Sequence, residues 1–107
     1  MDIKVKKSLT DLCVLSVLYK ADSYGWQVIK DIGQVLDINE STLYSVTSRL
    51  EREGYLTTYS EEHGGRLRRY FKITLEGEGR LQRFKTDYKE LDQIHQFILN
   101  PLEEEQQ

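Results

Sequence analysis

The sequence predicts a mainly α-helical fold with one small β-hairpin, on three observations. Hydrophobic residues recur at spacings of three and four up to Gly54, and again after Thr74. Between those points the period drops to two over residues 55–60 and 66–74, two runs rich in aromatic and β-branched side chains. A turn-forming stretch, Glu61-Glu62-His63-Gly64-Gly65, joins the two runs. At 107 residues, 38% hydrophobic and 31% charged, the chain reads as one domain with a small core and at most one appended element.

The first helix is expected over residues 8–19. Leu9, Leu12, Val14, Leu15, Val17 and Leu18 leave it almost no polar face. Such a helix needs cover on two sides, one from its own domain and one from a second chain or from this chain's last helix. Ala21-Asp22-Ser23 reads as a turn, with Asp22 or Ser23 capping a second helix over 24–36. Val28, Ile29, Ile32, Val35 and Leu36 form its inward set, and Gly25 permits a neighbouring element to pack closely. Trp26 reads as a core anchor, with the wall of a ligand cleft as the alternative. A short turn, Asp37-Ile38, leads into the third helix, so the two helices form a helix-turn-helix.

The third helix, residues 39–54, is the element around which the chain is organised. Asn39 suits the N-cap, because its side chain can accept a bond from a free first-turn N–H. Gly54 suits the position after the helix, since it takes φ > 0 without a steric cost. Arg49 and Arg52 favour the negative end of the helix dipole. At ~100° per residue, Leu43, Val46 and Leu50 share one face. Ser41, Ser45, Ser48 and Arg52 line the opposite face, flanked by Thr42, Tyr44 and Arg49. An ordinary solvated helix carries Lys and Glu at i,i+4 instead. Short hydroxyls let the backbone approach a phosphate or a base edge, and arginine reaches further, so the face reads as a nucleic-acid recognition surface.

A β-hairpin directly after such a helix is the layout of a winged helix-turn-helix. Arg66, Arg68, Arg69 and Lys72 lie on its second arm, where a wing meets the DNA backbone. Gly64-Gly65 lets the tip bend, while Glu61 and Glu62 oppose deep insertion into a groove. Thr74 can cap a last helix opening at Leu75, whose first turn Gly77 and Gly79 weaken. Leu81, Phe84, Tyr88, Leu91, His95 and Ile98 follow at spacings of three and four, with Ile94 beside them. Pro101 is expected to end this helix. About 25 residues give a length on the order of 38 Å, more than a domain of this size covers, so the helix reads as a dimerisation arm. The chain then divides into a DNA-binding domain over 1–74, a dimerisation helix over 75–100 and a frayed acidic tail over 101–107.

Other chemistries find little support. His63 and His95 have no cysteine near them, Cys13 lies in an apolar run as an inert thiol, and no Gly-rich loop precedes a helix. No catalytic site, metal or cofactor is therefore expected. No apolar run approaches the ~20 residues of a membrane span, and the N-terminus lacks a cleavable leader pattern, so a cytoplasmic location is expected. The net charge of −3 argues against nonspecific coating of nucleic acid but leaves room for a local basic surface.

Taken together, these segments resemble the PadR family of bacterial transcriptional regulators. The resemblance is carried by Tyr24-Gly25-Trp26, by Ser41-Thr42-Leu43-Tyr44 with Arg49-Leu50-Glu51 and Gly54, and by Gly64-Gly65-Arg66 through Arg69-Tyr70-Phe71-Lys72-Ile73-Thr74 to Gly77. It covers nearly the whole chain, and the single helix after the wing is similar to the small subgroup. The family often has Gly where Ser41 stands and Pro where Ser45 stands. The resemblance implies a dimeric winged-helix repressor, in some members with a hydrophobic pore at the dimer interface that takes planar aromatic compounds.

The expected partners are thus double-stranded operator DNA, a second copy of the chain and a small hydrophobic effector. Ser41, Thr42, Tyr44, Ser45, Ser48 and Arg49 would enter the major groove, with Arg66, Arg68 and Lys72 on phosphates. The dimer seam would use Leu12, Leu15, Leu81, Phe84, Tyr88, Leu91, His95 and Ile98. The effector would lie against Leu12, Leu15, Phe84, Tyr88 and Leu91. The alternative is a winged helix used only for protein contacts, such as an antirepressor, which the net acidity and Glu61-Glu62 leave open.

Overall fold

The structure, a computed structural model, describes residues 3–105. Its elements run α1 (Ile3–Lys20), β1 (Ser23–Tyr24), α2 (Gly25–Ile32), α3 (Glu40–Arg52), β2 (Leu56–His63), β3 (Arg66–Ile73) and α4 (Leu75–Glu105). Helix α1 lies at the centre, and Val14, Leu15 and Leu18 on it are buried against Val28 and Ile32 of α2. Leu43, Val46 and Leu50 of α3, Leu56 of β2 and Phe71 of β3 complete the core. Leu15 is 0% exposed, so it belongs to the protomer's own interior and offers no surface to a dimer seam or an effector. Leu81 is half-buried and packs on the same core. The helix starts earlier than the apolar pattern suggests, because Lys4, Val5, Lys6 and Lys7 add an exposed turn ahead of Ser8.

Ser23, read as the end of a turn, and Tyr24, read as the start of a helix, form a short strand instead. Ser23 and Tyr24 pair antiparallel with Phe71 and Tyr70, giving a three-stranded sheet in the order β1-β3-β2. Tyr24 therefore holds the N-cap position of α2 in extended conformation without a side-chain cap bond. Helix α2 stops at Ile32, four residues before the expected end, where the Gly33 N–H closes on the Ile29 carbonyl. Past that point the helical phase no longer applies, and Val35 stands 79% exposed instead of facing in. The connection to α3 is accordingly longer than the two-residue turn expected, and Leu36 and Ile38 tuck its apolar side chains against the core. Trp26 is not a core anchor: it is 61% exposed, with the Lys30 ammonium 5.1 Å from the centre of its ring.

Helix α3 forms as its end signals dictate. The Thr42 N–H donates to Asn39 Oδ1 at 2.8 Å, and Gly54 takes φ 84° just beyond the helix. Thr47 joins the buried face by donating its hydroxyl to the Leu43 carbonyl at 2.9 Å, which removes the cost of burying that oxygen. In the hairpin, Gly64 and Gly65 both have positive φ, the condition of the two-residue loop whose twist matches the strands. Glu61, Glu62 and His63 are thus strand residues paired to Arg68, Leu67 and Arg66, not part of the turn.

Helix α4 opens on a Thr74 cap whose hydroxyl accepts the Gly77 N–H at 3.1 Å. Gly77 is required by packing, since a Cβ there would stand 2.3 Å from the Tyr55 carbonyl oxygen. Pro101 does not end α4, which runs on to Glu105. A proline there forfeits one bond to the Phe97 carbonyl, and Phe97 is exposed enough for water to replace it. Residues 101–105 of the expected tail are therefore the helix's last turn, while 106–107 lie outside the described residues. The 31-residue helix stretches the molecule to 63 Å, against 26 and 22 Å in the other directions.

Candidate nucleic-acid interface

Burial of Leu43, Val46, Thr47 and Leu50 fixes the rotation of α3 and so fixes what it shows to solvent. Ser41, Thr42, Tyr44 and Ser45 are exposed, and Ser48 is half-buried. On one side this face borders a shallow depression lined by Lys6 and Lys7 of α1 with Asn39, Ser41, Thr42 and Ser45. On the other, a groove of about 500 Å³ separates it from the hairpin, lined by Trp26, Tyr44, Leu67, Arg68 and Arg69 among others. The hydroxyl face of α3 thus lies between Lys6 and Lys7 on one side and Arg68 and Arg69 on the other, with Asp37 and Glu40 also in the two linings. Nothing local in the sequence marks Lys6 and Lys7 as part of this surface. Their place follows from the early start of α1 and its packing across α3.

Arg49 does not join that face. Its guanidinium forks onto Asp11, Nη1 to Oδ2 at 3.0 Å and Nη2 to Oδ1 at 2.5 Å, and lies 3.7 Å from Glu53. The bond to Asp11 raises the proton affinity of Arg49 above the usual guanidinium range. The pair is bidentate, and its carboxylate is only 3% exposed. Arg49, expected to enter the major groove, is engaged with Asp11 in this structure.

Strand pairing sets the wing. Pleating puts Arg66, Arg68, Tyr70 and Lys72 on one face of β3 and Leu67, Arg69, Phe71 and Ile73 on the other. Arg66 and Lys72 are exposed, whereas the Arg68 guanidinium lies 4.1 Å over the Tyr24 ring. Arg69 points to the α3 side, 3.8 Å from Glu51. The base of the wing is stiffened by aromatic packing: Tyr59 and Tyr70 stack at 5.4 Å, and Tyr24 meets Tyr70 edge-on at 5.6 Å. The Tyr59 hydroxyl donates to Asp22 at 2.6 Å, and this bond, ahead of lesser effects, pushes its pKa up to about 12. The Tyr70 hydroxyl sits 3.0 Å from His63 Nε2.

The residues expected at a dimer seam and effector site divide in two. Phe84, Tyr88, Leu91, His95 and Ile98 stand exposed along α4, together with Ile94 and Leu102. Phe84 and Tyr88 have ring centres 6.2 Å apart and border a depression with Leu91 and Ile94. Leu12 is half-buried on α1, while Leu15 is excluded by its burial. Among the described residues no group of three or more His, Cys, Asp or Glu could hold a metal, and burial raises the Cys13 thiol above its ordinary pKa. No described helix is long and apolar enough to cross a membrane.

The geometry is that of known regulators. A transcriptional regulator from Clostridium thermocellum is 29% identical, with 94% of this chain and 99% of that one covered at a TM-score of 0.78. A Streptococcus mutans protein is 34% identical over 88% of this chain and 90% of its own, with a TM-score of 0.77. Bacillus subtilis PadR, solved in complex with operator DNA, is 20% identical over 71% of this chain and 46% of its own. Its TM-score of 0.66 marks a likeness of fold. The model of the transcriptional regulator PadR-like family matches residues 14–83, which takes in α2, α3, the wing and the start of α4. The fold and the family are those of transcriptional regulators and not of enzymes. The chain belongs to the PadR-like family of transcriptional regulators.

Proposed function

We propose that the protein is a dimeric, sequence-specific DNA-binding repressor released by a small planar apolar effector. The observation that carries the reading is the hydroxyl-rich face of α3 set between the lysines of α1 and the arginines of the wing. Ser41, Thr42, Tyr44, Ser45 and Ser48 read base edges in the major groove. Lys6, Lys7, Arg66, Arg68 and Lys72 neutralise phosphates on either side. The dimer forms along the exposed stripe of α4, from Phe84 through Tyr88, Leu91 and His95 to Ile98, with Leu12 of α1 at its edge. A two-fold seam then presents two copies of α3 to successive major grooves ~34 Å apart.

The effector site is the aromatic part of that seam, at Phe84, Tyr88 and Leu91. Tyr88 supplies a stacking face and one hydroxyl. A ligand there releases DNA only if it prefers a dimer whose α3 helices are off the groove spacing. Selection of duplexes from a random pool tests the DNA reading: enrichment of a two-fold-symmetric site supports it, and no enrichment favours the protein-contact alternative. Titration of planar aromatic compounds against the selected duplex tests the effector. Release that survives Tyr88→Ala unchanged excludes the named site.

A further inference from the structure

Asp11 is the only buried charged side chain among the described residues. It sits near the middle of α1, and both its partners come from other helices. Arg49, in the last turn of α3, takes both carboxylate oxygens, and Arg80, in the second turn of α4, donates Nη2 to Oδ2 at 3.2 Å. Arg80 is held from a further side by the Tyr55 ring, 5.0 Å from its guanidinium carbon. A second join runs parallel to this one: the Thr74 hydroxyl that caps α4 donates to the Gly54 carbonyl at the end of α3, at 2.6 Å. Gly77 brings the first turn of α4 against the backbone of Tyr55. The root of α4 is therefore fixed to the end of α3 by two separate sets of polar contacts. From Phe84 outward the same helix is exposed apart from a half-buried Leu99 and makes a lever of about 33 Å at ~1.5 Å per residue.

We infer that Asp11 is a positioning residue that splints the recognition helix to the dimerisation helix, so that the angle set along α4 is handed on to α3. This rests on the DNA-reading and dimer proposals above. A buried carboxylate costs free energy unless paired, and two guanidiniums from two helices are what satisfy this one. Packing alone would hold α3 against α1 through Leu43, Val46 and Leu50. Those contacts let a helix rock by small repacking steps, whereas a forked carboxylate–guanidinium pair has one good geometry. With the splint in place, a change in the α4 seam appears as a change in α3 spacing. Without it, the same change is absorbed at the root of α4.

The test uses Arg80→Met, which keeps the Asp11–Arg49 pair and the hydrophobic stem, with Arg80→Lys as the conservative variant and Asp11→Asn as the stronger lesion. Spin labels at Arg52→Cys in a Cys13→Ser background report the α3-to-α3 distance across the dimer without DNA. The expected result for Arg80→Met is an intact dimer with a broadened distance distribution. Its affinity for the selected duplex falls about ten-fold, a usual size for a lost coupling, while affinity for random-sequence duplex stays unchanged. Arg80→Lys recovers part of the loss. Equal losses on both duplexes, or an unchanged distribution with unchanged selected-site affinity, would overturn the inference. A wild-type chain that selects no duplex would instead fail the DNA reading itself, and the distance distribution would still decide whether the joint is stiff.

Discussion

The carboxylate of Asp11 and the guanidinium of Arg49 are separated by 38 positions in the chain and joined by two hydrogen bonds in the fold. Their pairing holds the last turn of α3 to the middle of α1. Arg49→Ala should cost about 3 kcal/mol of stability, since it leaves a buried carboxylate with Arg80 as its remaining guanidinium partner. Urea unfolding at neutral pH measures this. A loss below about 0.5 kcal/mol would place Arg49 among ordinary surface arginines.

Two glycines of α4 should respond in opposite directions. Gly77→Ala drives a Cβ into the Tyr55 carbonyl and the Ile73 side chain, and should destabilise by about 2 kcal/mol. At Gly79 the nearest atom to an added Cβ is the flexible tip of Arg83 at 3.5 Å. Gly79→Ala should therefore stabilise by up to about 1 kcal/mol through helix propensity. Thermal unfolding of the pair checks both signs.

The wing should loosen in alkali through Tyr59. Its folded pKa of about 12 lies above the ordinary tyrosine value of 10, so the protonated phenol is favoured by folding. The contribution is fully present below pH 10 and is lost as pH rises through 12. Ultraviolet titration of tyrosine ionisation should show one group titrating late, and Tyr59→Phe should remove it. Loss of the late group in a Tyr70→Phe variant instead would reassign it.

Dimerisation should respond to charge on the exposed stripe of α4 and not through the core. Leu91→Asp and Ile98→Asp should give folded monomers in sedimentation at micromolar concentration, because each places an unpaired charge in the seam. Leu15→Asp, by contrast, should unfold the domain, its side chain being wholly inside the protomer. A wild-type chain that sediments as a monomer would remove the basis of the seam.

What could be read from the sequence was local. The Asn39 cap, the Gly54 end, the buried triplet Leu43, Val46 and Leu50, and the hairpin around Gly64-Gly65 each depend on residues a few positions apart. The features that could not be read depend on distant partners. The strand nature of Ser23 and Tyr24 is set by Phe71 and Tyr70, and the orientation of Arg49 by Asp11. The flank formed by Lys6 and Lys7 is set by how α1 crosses α3. Trp26 looks like a core residue by size, but its phase on α2 is decided by the burial of Val28 and Ile32, which turns it out. Pro101 reads as a stop signal, yet near the free end of an exposed helix one missing bond is a small loss.

The central claim, that the face of α3 between the lysines of α1 and the arginines of the wing reads DNA sequence, is tested most directly by one titration. Affinity for a selected duplex and for its scrambled counterpart is followed by fluorescence anisotropy as salt is raised, for the wild type, Thr42→Ala and Arg68→Ala. With about six phosphates neutralised per dimer, log K should fall with log[salt] at a slope near −5. Arg68→Ala should weaken both duplexes alike and flatten the slope by about one, while Thr42→Ala should narrow the gap between them. Affinity that is independent of salt and equal for the two duplexes would contradict the account.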